Sequence, residues 1–364
     1  MNSRKNKIKV LVALSGGVDS SVAAALLVAS KKYEVTGAFM INYDEKNPDG
    51  VNCYLHDYRD AVRVAAKLGI PILKLDFKKE YSEKVLSYMY SEYEKGRTPN
   101  PDVMCNSFIK FGSWLDKAKE LEFDYLATGH YAVTKNGKLL VSRDENKDQT
   151  YFLHQLNRNQ LAHSMFPIGE YTKPEVRKLA EKFDLPTADK EESMGICFIG
   201  EVPIKEFLQK RIALKPGNIL FQGKVIGVHD GLSFYTIGER HLGVKTNDNQ
   251  PLYVLDKNIK SNELIVGHEH DPMLYKKESE IEKVNWISGQ TLKFPLKCEV
   301  RLRHRQPLQK CVVMMVDGRV IVKFGTDQRA VTPGQFAVFY LPRRSHKGAK
   351  AGKNGECLGG GVIK

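Results

Sequence analysis

A doubly wound α/β domain, followed by a small mixed linking domain and a β-barrel, is the fold class that the sequence predicts. Three observations predict it. Up to about residue 201, short apolar runs alternate with helix-like stretches, the pattern of a parallel sheet covered by helices on both faces. From about Val202 the texture changes to short strands broken by Gly217, Gly223, Gly227, Gly231, Gly238 and Gly243. From about residue 274, alternating strands separated by tight-turn signals point to a small barrel. The expected domains are therefore 1–201, 202–273 and 274–364, and a chain of 364 residues has ample core for them.

In the first domain, strands are expected over 8–14, 33–41, 71–77 and 124–131, and helices over 20–30, 56–68, 79–94 and 107–121. A Rossmann-like sheet of this kind binds ligands at the carboxyl ends of its strands. Ser15-Gly16-Gly17-Val18-Asp19-Ser20-Ser21 follows the first strand and opens a helix. The free N–H groups and positive dipole end of that helix make the turn an anion site. Ala13 and Leu14 lead into the turn, and two glycines let a phosphate approach the backbone. The loop lacks the Lys of a Walker A motif. Asp19 is unexpected beside phosphates unless it holds Mg²⁺ or a helix N–H. Met40, ending the second strand, reads alone as core, and Gly129 in Ala127-Thr128-Gly129-His130-Tyr131 reads alone as a turn. Their shared place on the rim raises both.

Gly96-Arg97-Thr98-Pro99-Asn100-Pro101-Asp102-Val103-Met104-Cys105-Asn106 is the second unusual stretch. Its prolines force an extended path. Cys105 then precedes the expected helix, where the dipole favours a thiolate, and Asp102 lies three residues away as a possible base. A Pro-rich loop with an Asp cap and a buried Cys explains the stretch equally well. Further on, Lys147-Asp148-Gln149 reads as an exposed loop, and Thr172 with Glu175 as a capping box for a helix over about 173–184. Cys197, bracketed by Gly195 and Gly200, fits a buried strand better than a mobile hairpin.

In the last domain, Cys298, Val300 and Leu302 alternate with Glu299, Arg301 and Arg303, continuing to Arg305. One apolar face and one arginine stripe follow, the stripe stepping at about the phosphate spacing of a nucleic acid strand. Asp317-Gly318 marks a hairpin and Pro333-Gly334 a turn. The net charge is +13, and residues 276–364 hold 18 Lys and Arg against 7 Asp and Glu. A nucleic-acid partner fits that asymmetry, as does a solvated basic surface.

Cys53, Cys105, Cys197, Cys298, Cys311 and Cys357 form no Cys-x-x-Cys pair, so no protein-held metal site is expected. No apolar run approaches the length of a membrane span, and the first strand begins by Ile8. A cytoplasmic, monomeric protein without membrane attachment is the expectation.

The string Ser15–Ser21 resembles the pyrophosphate loop (PP-loop) of ATP pyrophosphatases that adenylate a substrate. Ala13–Ser21, Gly96–Asn106, Ala127–Tyr131, Lys147–Tyr151, Ser193–Gly200, Val331–Tyr340 and Cys357–Ile363 together resemble the bacterial tRNA-specific 2-thiouridylases along nearly the whole chain. That resemblance implies ATP-dependent adenylation of O2 of the wobble uridine, then sulfur transfer from a persulfide-carrying donor protein, with Mg²⁺ accompanying ATP. It implies that Ala13 to Ser20, Met40 and Gly129 bind ATP. Cys197 would carry the persulfide, Cys105 would be the nucleophile and Asp102 the acid/base, and the two cysteines could then form a disulfide. Asn100, Pro101 and Asp102 would meet the target base. His130, Lys147, Asp148, Gln149, Arg303, His304 and Gln335 would contact tRNA. Gly238-Glu239-Arg240-His241-Leu242-Gly243 departs from the family pattern and receives no role, and Arg343–Glu356 looks inserted. A small-molecule ligase with the same loop would need neither Cys105 nor the basic barrel. A non-catalytic RNA-binding protein would not need the intact loop.

Overall fold

The computed structural model describes residues 7–45, 50–191, 203–246, 248–290, 292–341 and 355–364. Its first sheet is parallel throughout. The strands Ile8–Ala13, Tyr33–Ile41, Ile72–Asp76, Tyr125–Ala127 and Ser164–Met165 stand in the order third, second, first, fourth, fifth. The first strand is central, with Val10 opposite Val35 on one side and Tyr125 on the other. Val10, Leu11 and Val12 are fully buried, which is why this run is apolar without alternation. The strand order reverses between the first and fourth strands, and the crevice at that point is where such sheets bind ligands.

The expected strand 124–131 ends at Ala127. Thr128 to Tyr131 cross the rim instead, because Gly129 lies against the start of the Val18–Ala29 helix, where a Cβ would meet the Ser20 nitrogen at 2.6 Å. The fifth strand, two residues long, carries no periodicity that a sequence reading can detect. The expected helices at 20–30, 56–68 and 173–184 are present as Val18–Ala29, Leu55–Leu68 and Lys173–Lys182. The Thr172–Glu175 capping box opens the last of these.

The central sheet has the order Tyr253–Asn258, Glu263–Gly267, Gly217–Phe221, Lys224–His229, and only its middle pair is parallel. In the last domain Tyr275–Trp286, Arg319–Arg329, Gln309–Val316, Leu296–Arg301, Phe336–Leu341 and Glu356–Ile363 pair antiparallel in that order, and the last pairs with the first. The result is a closed six-stranded barrel around Val300, Val313, Val322, Ala337, Phe339 and Ile363. Cys298 and Cys311 face one another inside it, their sulfurs 3.5 Å apart, and Cys357 is buried as well. Asp317 and Gly318 both have positive φ, as a two-residue hairpin turn requires.

The barrel is not a detached appendage. A hairpin of the first half, Val133–Lys135 with Lys138–Leu140, extends the barrel sheet by pairing Leu139 with Cys357 and Leu140 with Glu356. One apolar cluster runs from Tyr81, Met89 and Ile109 through Leu139 and Tyr151 to Phe336, Val338 and Tyr340. Among the described residues no helix is long and apolar enough to cross a membrane.

Candidate active site

Ala13 ends the first strand, and Leu14 is buried with its N–H bonded to the Ala38 carbonyl at 2.9 Å. The chain then turns through Ser15 and Gly16 into the helix, whose N-cap, Gly17, has no side-chain cap. The N–H groups of the first turn are thus left for an anion. Gly16 has φ of 76° and lies against the Asp57 carbonyl, which a Cβ would approach to 2.3 Å. The Ser20 hydroxyl donates to the Gly17 carbonyl at 3.0 Å and accepts the Ser15 N–H at 3.2 Å, holding the turn closed. Ser21 donates to the same carbonyl at 2.8 Å. Val18 is buried under this helix, and Met40 is buried at the end of the second strand.

Asp19 has a structural answer. Its Oδ1 accepts from Lys173 Nζ at 2.7 Å and from the Tyr131 hydroxyl at 3.0 Å. Lys173 opens the capped helix Lys173–Lys182 and is nearly buried. A cation thus stands at the loop, brought from another helix rather than from the loop's own sequence. Sequence reading missed it, because 154 residues separate the partners.

The Asn100–Asn106 stretch differs from its expectation. The helix begins at Pro101, not near 107, with Asn100 as N-cap accepting the Val103 N–H at 3.4 Å and Pro101 in the first turn. Asn-Pro is a start signal of a helix, visible in the sequence. Cys105 therefore sits a turn inside, its N–H bonded back to the Pro101 and Asp102 carbonyls, and its thiol is fully buried. The dipole acts chiefly on the first turn, so it does not supply the thiolate bias expected of a helix start. The helix continues through a nine-residue π-helical stretch, Cys105–Ser113, a feature often found at functional sites. Asp102 lies in the first turn, half-buried, and its carbonyl accepts from the Asn106 amide at 2.9 Å.

Lys147-Asp148-Gln149 is not an exposed loop. Asp148 is 1 % exposed and accepts from the Thr150 hydroxyl at 2.7 Å, the Ser142 N–H at 3.2 Å and Arg301 at 3.2 Å. Burial raises its carboxyl above the ordinary range, against those three donors and the Thr150 N–H. Gln149 pairs with the Tyr131 backbone in both directions at 2.9 Å, and His304 lies 3.2 Å from the Asp148 carbonyl. His130 is buried and its ring is held neutral by that burial, its Nδ1 2.7 Å from the Thr128 hydroxyl. The arginine stripe is also corrected. The strand stops at Arg301, and Arg303 turns to donate to Thr332 Oγ1 at 2.6 Å and to the Ile237 and Ala330 carbonyls. Arg305 has positive φ and is exposed. Arg301 thus docks the barrel on the first domain, Arg303 ties the barrel to the central domain, and Arg305 stays exposed. Gln335 donates to the Thr98 and Pro99 carbonyls at 3.0 and 3.3 Å, next to Asn100. Cys197 lies outside the described residues.

Comparison with known proteins gives three family matches in series. They are the tRNA methyl transferase HUP domain at residues 8–201, the tRNA methyl transferase PRC-barrel domain at 205–268 and the aminomethyltransferase beta-barrel domain at 276–363. The tRNA-specific 2-thiouridylase MnmA of Lysinibacillus sphaericus is 46% identical over 369 residues, covering 98% of this chain and 94% of the relative. That of Halalkalibacterium halodurans is 46% identical over 369 residues, covering 99% and 95%. That of Coxiella burnetii is 46% identical over 374 residues, covering 100% and 99%. Identity of this level from end to end, on a sheet whose phosphate loop lies at the strand-order reversal, places the chain: it belongs to the family of tRNA-specific 2-thiouridylases.

Proposed function

We propose that the chain thiolates tRNA: ATP adenylates O2 of the wobble uridine, and sulfur from a persulfide replaces that oxygen. The observation that carries the reading is the uncapped helix start at Gly16-Gly17-Val18, with the Asp19–Lys173 pair beside it, on a chain related end to end to 2-thiouridylases. The loop N–H groups hold the ATP phosphates, and Lys173 offsets their charge. The uridine oxygen attacks the α-phosphorus, pyrophosphate leaves, and the oxygen becomes part of a good leaving group. Cys105 attacks the Cys197 sulfur of the persulfide. Hydrosulfide is released to C2 of the uridine, AMP departs with O2, and the new Cys105–Cys197 disulfide is reopened by a dithiol reductant. Asp102 exchanges the proton. The buried thiol of Cys105 is shielded from stray oxidants until tRNA and donor arrive.

The residues of the loop fit the phosphates of ATP. Asp19 is engaged by Lys173 and Tyr131. Mg²⁺ then arrives with the nucleotide, held mostly by phosphates and water. Asn100 to Asp102 meet the base. His130, Lys147, Asp148, Gln149, Arg303, His304 and Gln335 build and support the tRNA face, Asp148, His304 and Gln335 also by holding the barrel to the catalytic domain. The domain limits lie near residues 201 and 273, a division that the family matches at 8–201, 205–268 and 276–363 support. The chain acts as a monomer in the cytoplasm, with a separate sulfur-donor protein.

The test combines the protein with ATP, a persulfide donor and bulk tRNA. Thiolated uridine retarded on a mercury gel, with pyrophosphate released in step, is expected. Cys105→Ser and Cys197→Ser should each abolish it. ATP turnover that survives both changes and needs no tRNA would favour a small-molecule ligase. A methylated product that depends on a methyl donor and not on ATP would overturn the reading.

A further inference from the structure

The Gly238–Gly243 stretch takes no part in the reaction described above, yet its surroundings reach the Asn100–Cys105 turn. Lys257, on the central-domain strand Tyr253–Asn258, extends its Nζ to the Gly96 carbonyl and donates to it at 2.9 Å. Two residues on, the Thr98 hydroxyl lies 3.3 Å from that of Thr236. Ile259 fills the space beside Gly96, where a Cβ would meet its Cδ1 at 2.4 Å.

Glu239 joins these contacts into one unit. Its carboxylate accepts the Thr236 N–H at 2.7 Å. Its carbonyl accepts the Val254 N–H at 3.0 Å, and the Gly238 N–H donates to the Val254 carbonyl at 2.8 Å, on the strand that carries Lys257. Burial pushes the Lys257 ammonium down to about 8 and the Glu239 carboxyl up, and the charge of each partly offsets the effect on the other. A largely buried ammonium is costly without an acceptor, so the Gly96 carbonyl and Lys257 fix one another.

The barrel grips the same segment from its own side. The Thr98 N–H donates to the Pro333 carbonyl at 2.9 Å, and Gln335 holds the Thr98 and Pro99 carbonyls. Arg97 donates to the Ile363 carbonyl at 2.9 Å. Residues 96–99 are therefore clamped between the central sheet and the barrel immediately before the N-cap Asn100.

We propose that Lys257 is a positioning residue for thiolation: by holding the Gly96 carbonyl it sets where the helix beginning at Pro101 presents Asn100, Asp102 and Cys105. The inference rests on the reading that this turn meets the target uridine. It gives the central domain a function beyond linking, and gives Glu239 the task of holding the strand and loop that carry the clamp.

Lys257→Met keeps the stem and removes the donor, and Lys257→Arg keeps charge and donor. In the thiolation assay with the full chain, Lys257→Met is expected to lower kcat about 10- to 100-fold while KM for tRNA and ATP stays within a factor of about two. Lys257→Arg should recover most of the loss. If Lys257→Met folds poorly, Lys257→Gln decides the matter, since it keeps a polar end but is too short to hold the Gly96 carbonyl. A kcat loss at unchanged melting temperature supports the clamp, and an unchanged kcat overturns it. Cys105→Ser runs alongside. If it retains thiolation, the reading of the turn fails and the proposal with it. If it abolishes thiolation while Lys257→Met keeps full kcat, only the positioning role fails.

Discussion

His154 is fully buried between Tyr151 and Phe336, and its hydrogen bonds fix its state. Nδ1 lies 2.6 Å from the Tyr151 carbonyl and must donate, whereas Nε2 lies 2.9 Å from the Gln155 amide nitrogen and accepts. The ring is therefore neutral. Burial pushes its pKa from 6.5 to about 4, against the backbone bond. Because the folded value lies below the unfolded one, the unfolded chain takes up the proton first. This contribution to stability is complete above the unfolded value and is lost as pH falls from about 6.5 towards 4, to the extent of about 3 kcal/mol. His130 is shifted in the same direction, first by burial and then by Lys110. The urea midpoint should fall between about pH 7 and pH 5, and His154→Gln should flatten that fall. An equal fall in the variant would assign the effect elsewhere.

At the scale of elements, the active rim depends on two segments touching without side chains between them. Gly129 packs on the backbone of Asp19 and Ser20, so Gly129→Ala pushes the rim loop off the helix start. A cost of about 1–3 kcal/mol is expected. KM for ATP should rise about tenfold, since the N–H groups at the helix start lose their alignment. Pyrophosphate release measured against ATP concentration checks this, and an unchanged KM would show that the contact is not needed. The helix at Pro101 teaches a related lesson. Its Asn-Pro start signal is in the sequence, but the same prolines also fit an extended path, which puts the helix start beyond Cys105 when the thiol in fact sits a turn inside. The π-helical stretch that follows has no pattern in a single sequence, because it answers to packing around Ile109 and Phe111.

At the scale of the molecule, the catalytic domain and barrel share one core. A chain ending after Asp271 would expose Leu139 and Tyr151, both fully buried. It would also unpair the Lys138–Leu140 strand from Glu356 and Cys357. At about 1.5–3 kcal/mol for each large apolar side chain, a few such losses match the whole stability of a typical domain. The shortened chain should aggregate or melt without cooperativity. Cooperative melting near the parent temperature would show that the first domain stands alone.

The parallel sheet, the phosphate turn, the capped helix at Lys173 and the barrel's hairpins are legible in the amino-acid order. Each is written in local periodicity or turn chemistry, which a short window of residues carries. Where the charges point depends on long-range packing. Asp148 and Arg303 read as exposed because charged residues usually are, yet each is held by partners distant in sequence. The phosphate loop has no lysine of its own, and Lys173 reaches Asp19 from a helix distant in sequence. The loop's geometry is local and legible, but its electrostatics are assembled by contacts across the chain, and no window of sequence contains those.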